Sequence, residues 1–268
     1  MTITTETGTL NPVQFWAPPV NPSPTGLYAA TAWQPENTAP ARFLAGVHIL
    51  PENFDGASSS GVWGADWCAQ PDDLTPDDVK KGERWAGLDP FDPVTMWGYD
   101  ECALTAESRA EVKSRAAQTL RVMEQPLFER EFGGRLQADL TAEGGPIDAA
   151  APFLAALGMV EAYIAMGGQQ GVIHAAVNVA PMAAFYQCLV KTGSGYLTPM
   201  GNRWVFGGGY LASIGSNTLM GTSPLYGWRD EIAVRETIKS EQNKYAVVAE
   251  RSVLVGYEHF YGAMQITG

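Results

Sequence analysis

Seven prolines in the first forty residues constrain this chain more than any other feature. Pro12, Pro18, Pro19, Pro22, Pro24, Pro35 and Pro40 leave no room for a helix of useful length, because each lacks an N–H and fixes its own φ. Glu6 and Glu36 are the only charges in the segment, yet it carries Phe15, Trp16, Tyr28 and Trp33. A disordered tail is poor in aromatics. Residues 1–40 therefore read as an extended arm whose rings need cover. An arm laid across a neighbouring chain would bury them, and so would an arm packed on its own domain.

The rest of the chain is long enough, at 268 residues in all, to bury a sizeable core in one large domain or two modest ones. The net charge of −12 argues against a sequence-specific nucleic-acid reader. Acid gathers in 72–111, with Asp72, Asp73, Asp77, Asp78 and Glu83 at its head. Residues 144–228, by contrast, hold only Asp148, Glu161, Lys191 and Arg203, so this stretch is expected to be buried within or between subunits. Cys68, Cys102 and Cys188 are odd in number and far apart, which fits a reducing cytoplasm better than a disulfide framework or a zinc site. No apolar run reaches the roughly 20 residues of a membrane span, and the start lacks the basic and apolar regions of a signal peptide.

Residues 41–104 read as two strands, "ARFLAGVHIL" and "FDPVTMWGYDECAL", flanking a polar middle, the pattern of a long projecting hairpin. Trp63, Trp67, Trp85 and Trp97 lie in it, together with Lys80, Lys81 and Arg84. Aromatics on a projection call for a partner surface. Residues 105–132 predict a helix, capped by Thr105, with Val112, Ala116, Leu120, Met123 and Leu127 in one stripe and an end at Gly133-Gly134. A second helix is expected from Asp148 to Gly167, a strand over "GVIHAAVNV", and a third helix capped by Asn178 over "APMAAFYQCLVK". "GYLTPM" and "RWVFGGGY" read as strands about a turn at Gly201-Asn202. "TSPLYGWRD" and "EIAVRETI" read as strands about a tight turn at Asp230-Glu231, followed by a long strand in "KYAVVAERSVLVGYEHF".

None of the motifs that carry chemistry is present. Gly207-Gly208-Gly209 lacks the Lys-Ser/Thr of a phosphate loop and no helix is predicted after it, so the run reads as a flexible exit from a strand. Ser194 in "TGSGY" reads as a turn, and the acid pairs lack the spacing of a calcium loop. His174, on an apolar strand, is the best single catalytic candidate, with a hydrogen-bonded core histidine as the competing reading.

The order of parts, and the runs "GYLTPMGNRWVFGGGY", "TLMGTSPLYGWRDEIAVRET" and "YAVVAERSVLVGYEHF", resemble the HK97-fold major capsid proteins of tailed bacteriophages. The resemblance implies an α+β fold with an N-terminal arm (1–40), an extended E-loop hairpin with flanking strands (41–104), a peripheral domain with a long spine helix (105–147), an α/β axial domain (148–225) and return strands of the peripheral domain (226–268). It further implies self-assembly into pentamers and hexamers of an icosahedral head, without enzymatic activity or cofactors. The head would enclose dsDNA without reading its sequence, would be assembled in the host cytoplasm and would have no membrane partner. Portal and decoration proteins would join it. The helical scaffolding segment with which many relatives begin cannot be residues 1–40, so a separate scaffold, or none, is implied. Phe15, Trp16, Tyr28, Trp33, Trp63, Trp67, Trp85, Lys80, Lys81 and Arg84 are the expected assembly contacts. An encapsulin-type shell, another virion part, and an α/β enzyme using His174 stand as alternatives.

Overall fold

A computed structural model describes residues 15–36, 38, 40–54, 59–78, 80–142, 150–193 and 195–267. From Phe15 the arm runs without regular structure to Gly26, makes one helical turn, α1 (Leu27–Ala30), and enters a short strand, β1 (Thr31–Trp33). After a long excursion come β2 (Val94–Ala103) and α2 (Ala106–Ala142), then β3 (Ala150–Ala151) and α3 (Phe153–Met166). Next are β4 (Val172–Ala176), α4 (Ala180–Phe185), β5 (Val190–Thr192), β6 (Gly195–Leu197) and β7 (Arg203–Gly207). The chain closes with α5 (Tyr210–Ser213), β8 (Thr218–Thr222), β9 (Leu225–Arg229), β10 (Ala233–Lys239), β11 (Lys244–Tyr257) and β12 (Phe260–Ile266).

Two sheets organise the described residues. In the five-stranded sheet, β2 lines one edge of β11 through 94–103 against 253–244. On the other edge β9 pairs with 253–257 and β10 with 244–250, so β9 and β10 lie end to end along the same neighbour. Asp230-Glu231 is thus not the tight turn of a hairpin. The chain bends there and carries on in the same direction, because β11 is long enough to serve both strands. The seven-stranded sheet has the order β3-β12-β8-β4-β7-β6-β5. Its β4 is buried at every residue, since α3 covers one face (Ile173, Ala175) and the end of α2 approaches the other (Val172, Ala176). The last four strands divide between the sheets: β9, β10 and β11 stay with β2, while β12 pairs with β8 and β3.

The long helix starts where the sequence places it, with the Thr105 hydroxyl accepting the Ser108 N–H at 3.2 Å. It does not stop at Gly133-Gly134 but continues to Ala142. Seven of its ten buried positions, Val112, Ala116, Leu120, Glu124, Phe128, Phe132 and Leu136, follow a strict step of four, with Glu129, Gly133 and Asp139 buried beside them. Each such step turns about 40° relative to a straight line down an α-helix, so the buried stripe winds around the axis. The first half of α2 lies on β2 and β11, and its second half meets α5 and β12. Met123, placed in the stripe by sequence, is exposed, and the winding stripe passes through Glu124 instead.

Other expectations are corrected. "ARFLAGVHIL" is not a strand. The Glu36 carboxylate accepts the N–H groups of Thr38 and Arg42, a 3₁₀ turn follows at Arg42–Ala45, and Phe43 is drawn into the core. The excursion between Gly46 and Pro93 is not a hairpin of paired strands among the described residues. A single bridge, Val47 with Phe91, closes its neck, and two 3₁₀ turns at Pro71–Asp73 and Pro76–Asp78 shape its far part. Asn178 does not cap a long third helix. Its amide donates to the Ser216 carbonyl at 2.8 Å, and α4 ends at Phe185 because Gln187 turns left-handed (φ 58°). Asp148 and Ser194 lie outside the described residues.

Candidate assembly surfaces

The arm lies along its own long helix. Gln118 donates to the Val20 carbonyl at 2.7 Å, Arg121 to the Asn21 side chain, and Gln125 to the Thr25 carbonyl at 2.7 Å. These donors recur every three to four residues, so they form one polar stripe on α2. The stripe ends at Glu129, whose side chain is wholly buried. One of its oxygens accepts the Leu27 N–H at 3.1 Å and the other the Gly209 N–H at 3.0 Å. Burial raises this carboxyl above its ordinary range, while the N–H donors of Gly209 and Leu27 pull it down. A single side chain thereby ties the arm, the long helix and the glycine run together.

That contact accounts for the glycine run. Gly209 has an ordinary φ of −72°, so left-handed freedom is not what it supplies. A Cβ there would stand 2.1 Å from the Pro126 carbonyl oxygen and 2.7 Å from the Arg130 nitrogen. Glycine is needed because two main chains touch. A helical turn, α5, does begin directly after it, contrary to the sequence reading, but its approach is filled by the Glu129 carboxylate rather than left open for a phosphate.

Two of the expected contact residues are consumed inside the chain. Tyr28 meets Trp33 edge-on at 5.1 Å and packs on Phe128. Trp33 donates to the Tyr28 carbonyl at 3.2 Å and carries the Arg229 guanidinium 4.6 Å above its ring. Phe15 and Trp16, where the described residues begin, stay exposed, Phe15 at 83%. Between Trp16–Val20 and the outer face of α2 runs an open groove of about 1030 Å³, floored by Val122 and Met123 and flanked by Glu107, Glu111 and Arg115.

The excursion is fastened at its root by Glu258 and His259. The Glu258 side chain accepts N–H groups from Glu52, Asn53 and Phe54 and the Asn53 amide. Burial works against the charged form, yet these hydrogen bonds hold its carboxyl below the usual range. Phe54 stacks on the His259 ring at 3.5 Å, and Trp85 meets both rings edge-on. Trp85 is therefore an anchor for the excursion rather than a free contact. Arg84 is exposed beside it, on a cleft of about 400 Å³ shared with Phe54 and Ser59. Farther out, the Trp63 indole donates to the Asp78 carbonyl at 2.8 Å and bears the Lys80 ammonium 4.5 Å above its ring. Lys81 is exposed, Trp67 is 96% exposed and Val62 fully so. Sequence reasoning named the tryptophans but missed Glu129, Glu258 and His259. No local pattern marks an acid that will accept N–H groups from segments remote along the chain.

His174 is a core histidine. It has no exposed surface, and its ring nitrogens face the Tyr210 hydroxyl at 2.8 Å and the Thr222 hydroxyl at 2.9 Å. A ring with both nitrogens engaged and no access has nothing to offer a substrate. Burial lowers its pKa from 6.5 to about 3. The unfolded chain therefore takes up a proton that the folded chain refuses as pH falls from about 6.5 to about 3. Stability contributed by the neutral ring is complete above the upper value and declines by about 1.4 kcal/mol per pH unit within the window. Thermal denaturation of the parent and of His174→Phe between pH 3 and 7 checks this. The parent should lose more of its midpoint on acidification than the variant, and parallel curves would contradict the assignment.

Among the described residues no group of His, Cys, Asp and Glu is placed to hold a metal ion, and no helix is long and apolar enough to cross a membrane. No family model matches the chain, and no curated protein does. Solved structures do. The capsid of a native GTA particle is similar over 98% of this chain and 97% of its own, at 10% identity and a TM-score of 0.52. A structure from Mycobacterium phage Adephagia is similar over 100% and 99%, at 12% identity and a TM-score of 0.51. One from Microbacterium phage Oxtober96 is similar over 96% of both chains, at 10% identity and a TM-score of 0.50. With the long helix lying across a sheet, the arm along that helix and the rooted excursion, the chain has the HK97-like phage capsid fold.

Proposed function

We propose that this chain is the major capsid protein of a tailed phage, a subunit that assembles with copies of itself into pentamers and hexamers of an icosahedral head around dsDNA. The observation that carries the reading is the match of fold over the whole chain to the capsid of a GTA particle. The apolar groups left uncovered on the two extensions agree with it: Phe15 and Trp16 on the arm, and Val62 and Trp67 on the excursion. The excursion takes the part of the E-loop, with Trp63, Lys80, Lys81 and Arg84 around the exposed Trp67. A head of this kind takes a portal, with a separate scaffold and decoration proteins as further partners.

Assembly on this reading is driven by burial. Apolar surface removed from water contributes about 25 cal/mol per Å², and a subunit with several neighbours collects many modest contributions. Modest single contacts let a misplaced subunit leave before the shell closes.

Negative-stain microscopy of the purified chain tests the proposal. Closed shells with five- and six-fold capsomers are expected, and nucleic acid inside particles recovered from an infected host separates a phage head from a shell around protein cargo. Trp67→Ala should remove a contact worth about 2–4 kcal/mol and raise the concentration at which shells appear by more than about tenfold. Its thermal midpoint should match the parent, because the ring touches almost nothing in the free subunit. A chain that stays monomeric at high concentration, with or without a scaffold, would refute the proposal.

A further inference from the structure

Strand β10 is an edge with nothing to guard it. It pairs with β11 in unbroken register from Ala233 opposite Glu250 to Lys239 opposite Lys244, and among the described residues no strand lies on its other side. All seven residues are exposed, and the strand holds no proline. Natural edges of this kind are blunted by bulges, prolines or bare charges. Here the register has no bulge, and each charge is occupied within the chain. Arg235 pairs with Glu250, Glu236 with Lys113 at 2.5 Å, and Lys239 with Glu101 at 2.6 Å.

The side chains on the helix-side face are symmetric about Glu236. Val234, Glu236 and Ile238 stand opposite Ala249, Val247 and Tyr245, which are buried against the core. Val234 and Ile238 are 48% and 49% exposed. We propose that β10 is a two-fold contact in which the strands of two copies pair antiparallel with Glu236 at the axis. In that register Val234 of one copy lies against Ile238 of the other, and the reverse, so both half-exposed side chains gain cross-strand neighbours. The two Glu236 carboxylates meet already paired with their Lys113 ammonium groups, which removes the repulsion that bare carboxylates would bring.

The occupant is a second copy because the pattern is complementary to itself. An apolar residue two places before and two places after the centre is what an antiparallel partner must present, and β10 presents it. The contact also closes. A two-fold pairing uses both edges at once and leaves none to recruit a third strand, unlike a head-to-tail contact. A seven-residue strand buries too little to hold two free chains together firmly. It is therefore expected to form mainly where copies are already crowded, and two-fold axes are present in every icosahedral shell.

Single cysteines in a Cys68→Ser background test the register. Directly opposed Cα atoms in an antiparallel pair are about 4.5–5.5 Å apart, within the range of a disulfide. Residues two places from the axis are about 13 Å from their own equivalents, outside it. Under mild oxidation of assembled particles and of concentrated free chain, Glu236→Cys should form a covalent dimer at least about tenfold faster than Val234→Cys or Ile238→Cys alone. An equimolar mixture of Val234→Cys and Ile238→Cys should give the mixed dimer that neither gives alone. The mixture keeps Glu236, so it tests the register even if loss of that ion pair disturbs the fold. Equal rates at the three positions, no dimer at 236 in particles or free chain, or capture by the arm or a foreign peptide would each overturn the proposal. Shells that form without the 236 dimer would sink this contact alone, whereas failure to form shells bears on the function proposed above.

Discussion

Glu129→Ala should destabilise the fold by about 3–5 kcal/mol. The side chain is wholly buried and holds two N–H groups, of Leu27 and Gly209, from segments on opposite sides of it in the sequence. Alanine leaves both donors dry and unpaired, at about 1–3 kcal/mol each. It also leaves the space of a carboxylate between α2 and the glycine run. Glu129→Gln should fall between the two, because an amide keeps one acceptor and turns a donor towards the other N–H. Chemical denaturation measures the loss. Hydrogen exchange should show Leu27 and Gly209 as the amides that lose most protection, and proteases should reach residues 15–26 first. An alanine variant within about 1 kcal/mol of the parent would show that water replaces the carboxylate. The pH dependence adds a sign. Because burial raises this carboxyl, the folded chain holds its proton more tightly than the unfolded chain. Its contribution to stability therefore falls as pH rises from the ordinary carboxylate range through the folded value, opposite to that of His174.

Gly98→Val should cost at least about 3 kcal/mol. A Cβ at Gly98 would lie 2.5 Å from the Ala116 carbonyl oxygen and 2.6 Å from the Leu120 nitrogen. Both are main-chain atoms of α2, so no side-chain rotation relieves the clash, and helix and sheet must separate where β2 and α2 cross. The expected record is a large fall in the denaturation midpoint, with the same secondary structure by circular dichroism in what still folds. The glycines inside α2 give a control of opposite sign. A Cβ at Gly133 would meet the Ser213 side chain at 2.0 Å, while one at Gly134 meets nothing. Gly133→Ala should destabilise, whereas Gly134→Ala should stabilise by about 0.5–1 kcal/mol by removing backbone freedom from a helix interior. If the two neighbouring substitutions moved the midpoint the same way, helix propensity rather than close packing would govern this part of α2.

Those two glycines show how far a sequence reading reaches. As letters they are a helix terminator, since glycine is common just past a helix end. In the folded chain α2 runs straight through them, because Phe132 and Leu136 on either side are buried. Local preference of roughly 1 kcal/mol per glycine loses to the burial of two large side chains. The same competition explains "ARFLAGVHIL". Its residues are acceptable in a strand, but Phe43 has a core site to fill and Glu36 bends the chain towards it.

The extensions divide in a similar way. Their aromatic content was legible and marked both as surfaces in need of cover. What covers each ring was not. Tyr28, Trp33 and Trp85 find partners in their own chain, while Phe15, Trp16 and Trp67 stay largely exposed. The difference lies in whether Phe128, Arg229 or His259 happens to stand nearby, and no feature next to the tryptophans in sequence records it.

By itself the sequence determined the properties that repeat locally: an arm in which proline leaves no room for a long helix, a long helix begun at Thr105, and a long strand in β11. These follow from one residue's dihedrals or one turn's spacing. Only the tertiary structure decided where α2 ends, that β9 and β10 share one neighbour, why Gly209 is glycine, and which carboxylates fasten the arm and the excursion. Those outcomes rest on pairs such as Glu129 with Gly209, 80 positions apart, and Glu258 with Asn53, 205 apart. A hydrogen bond or a close approach of two main chains is a property of both partners at once. It comes into being only when the fold brings them within about 3 Å.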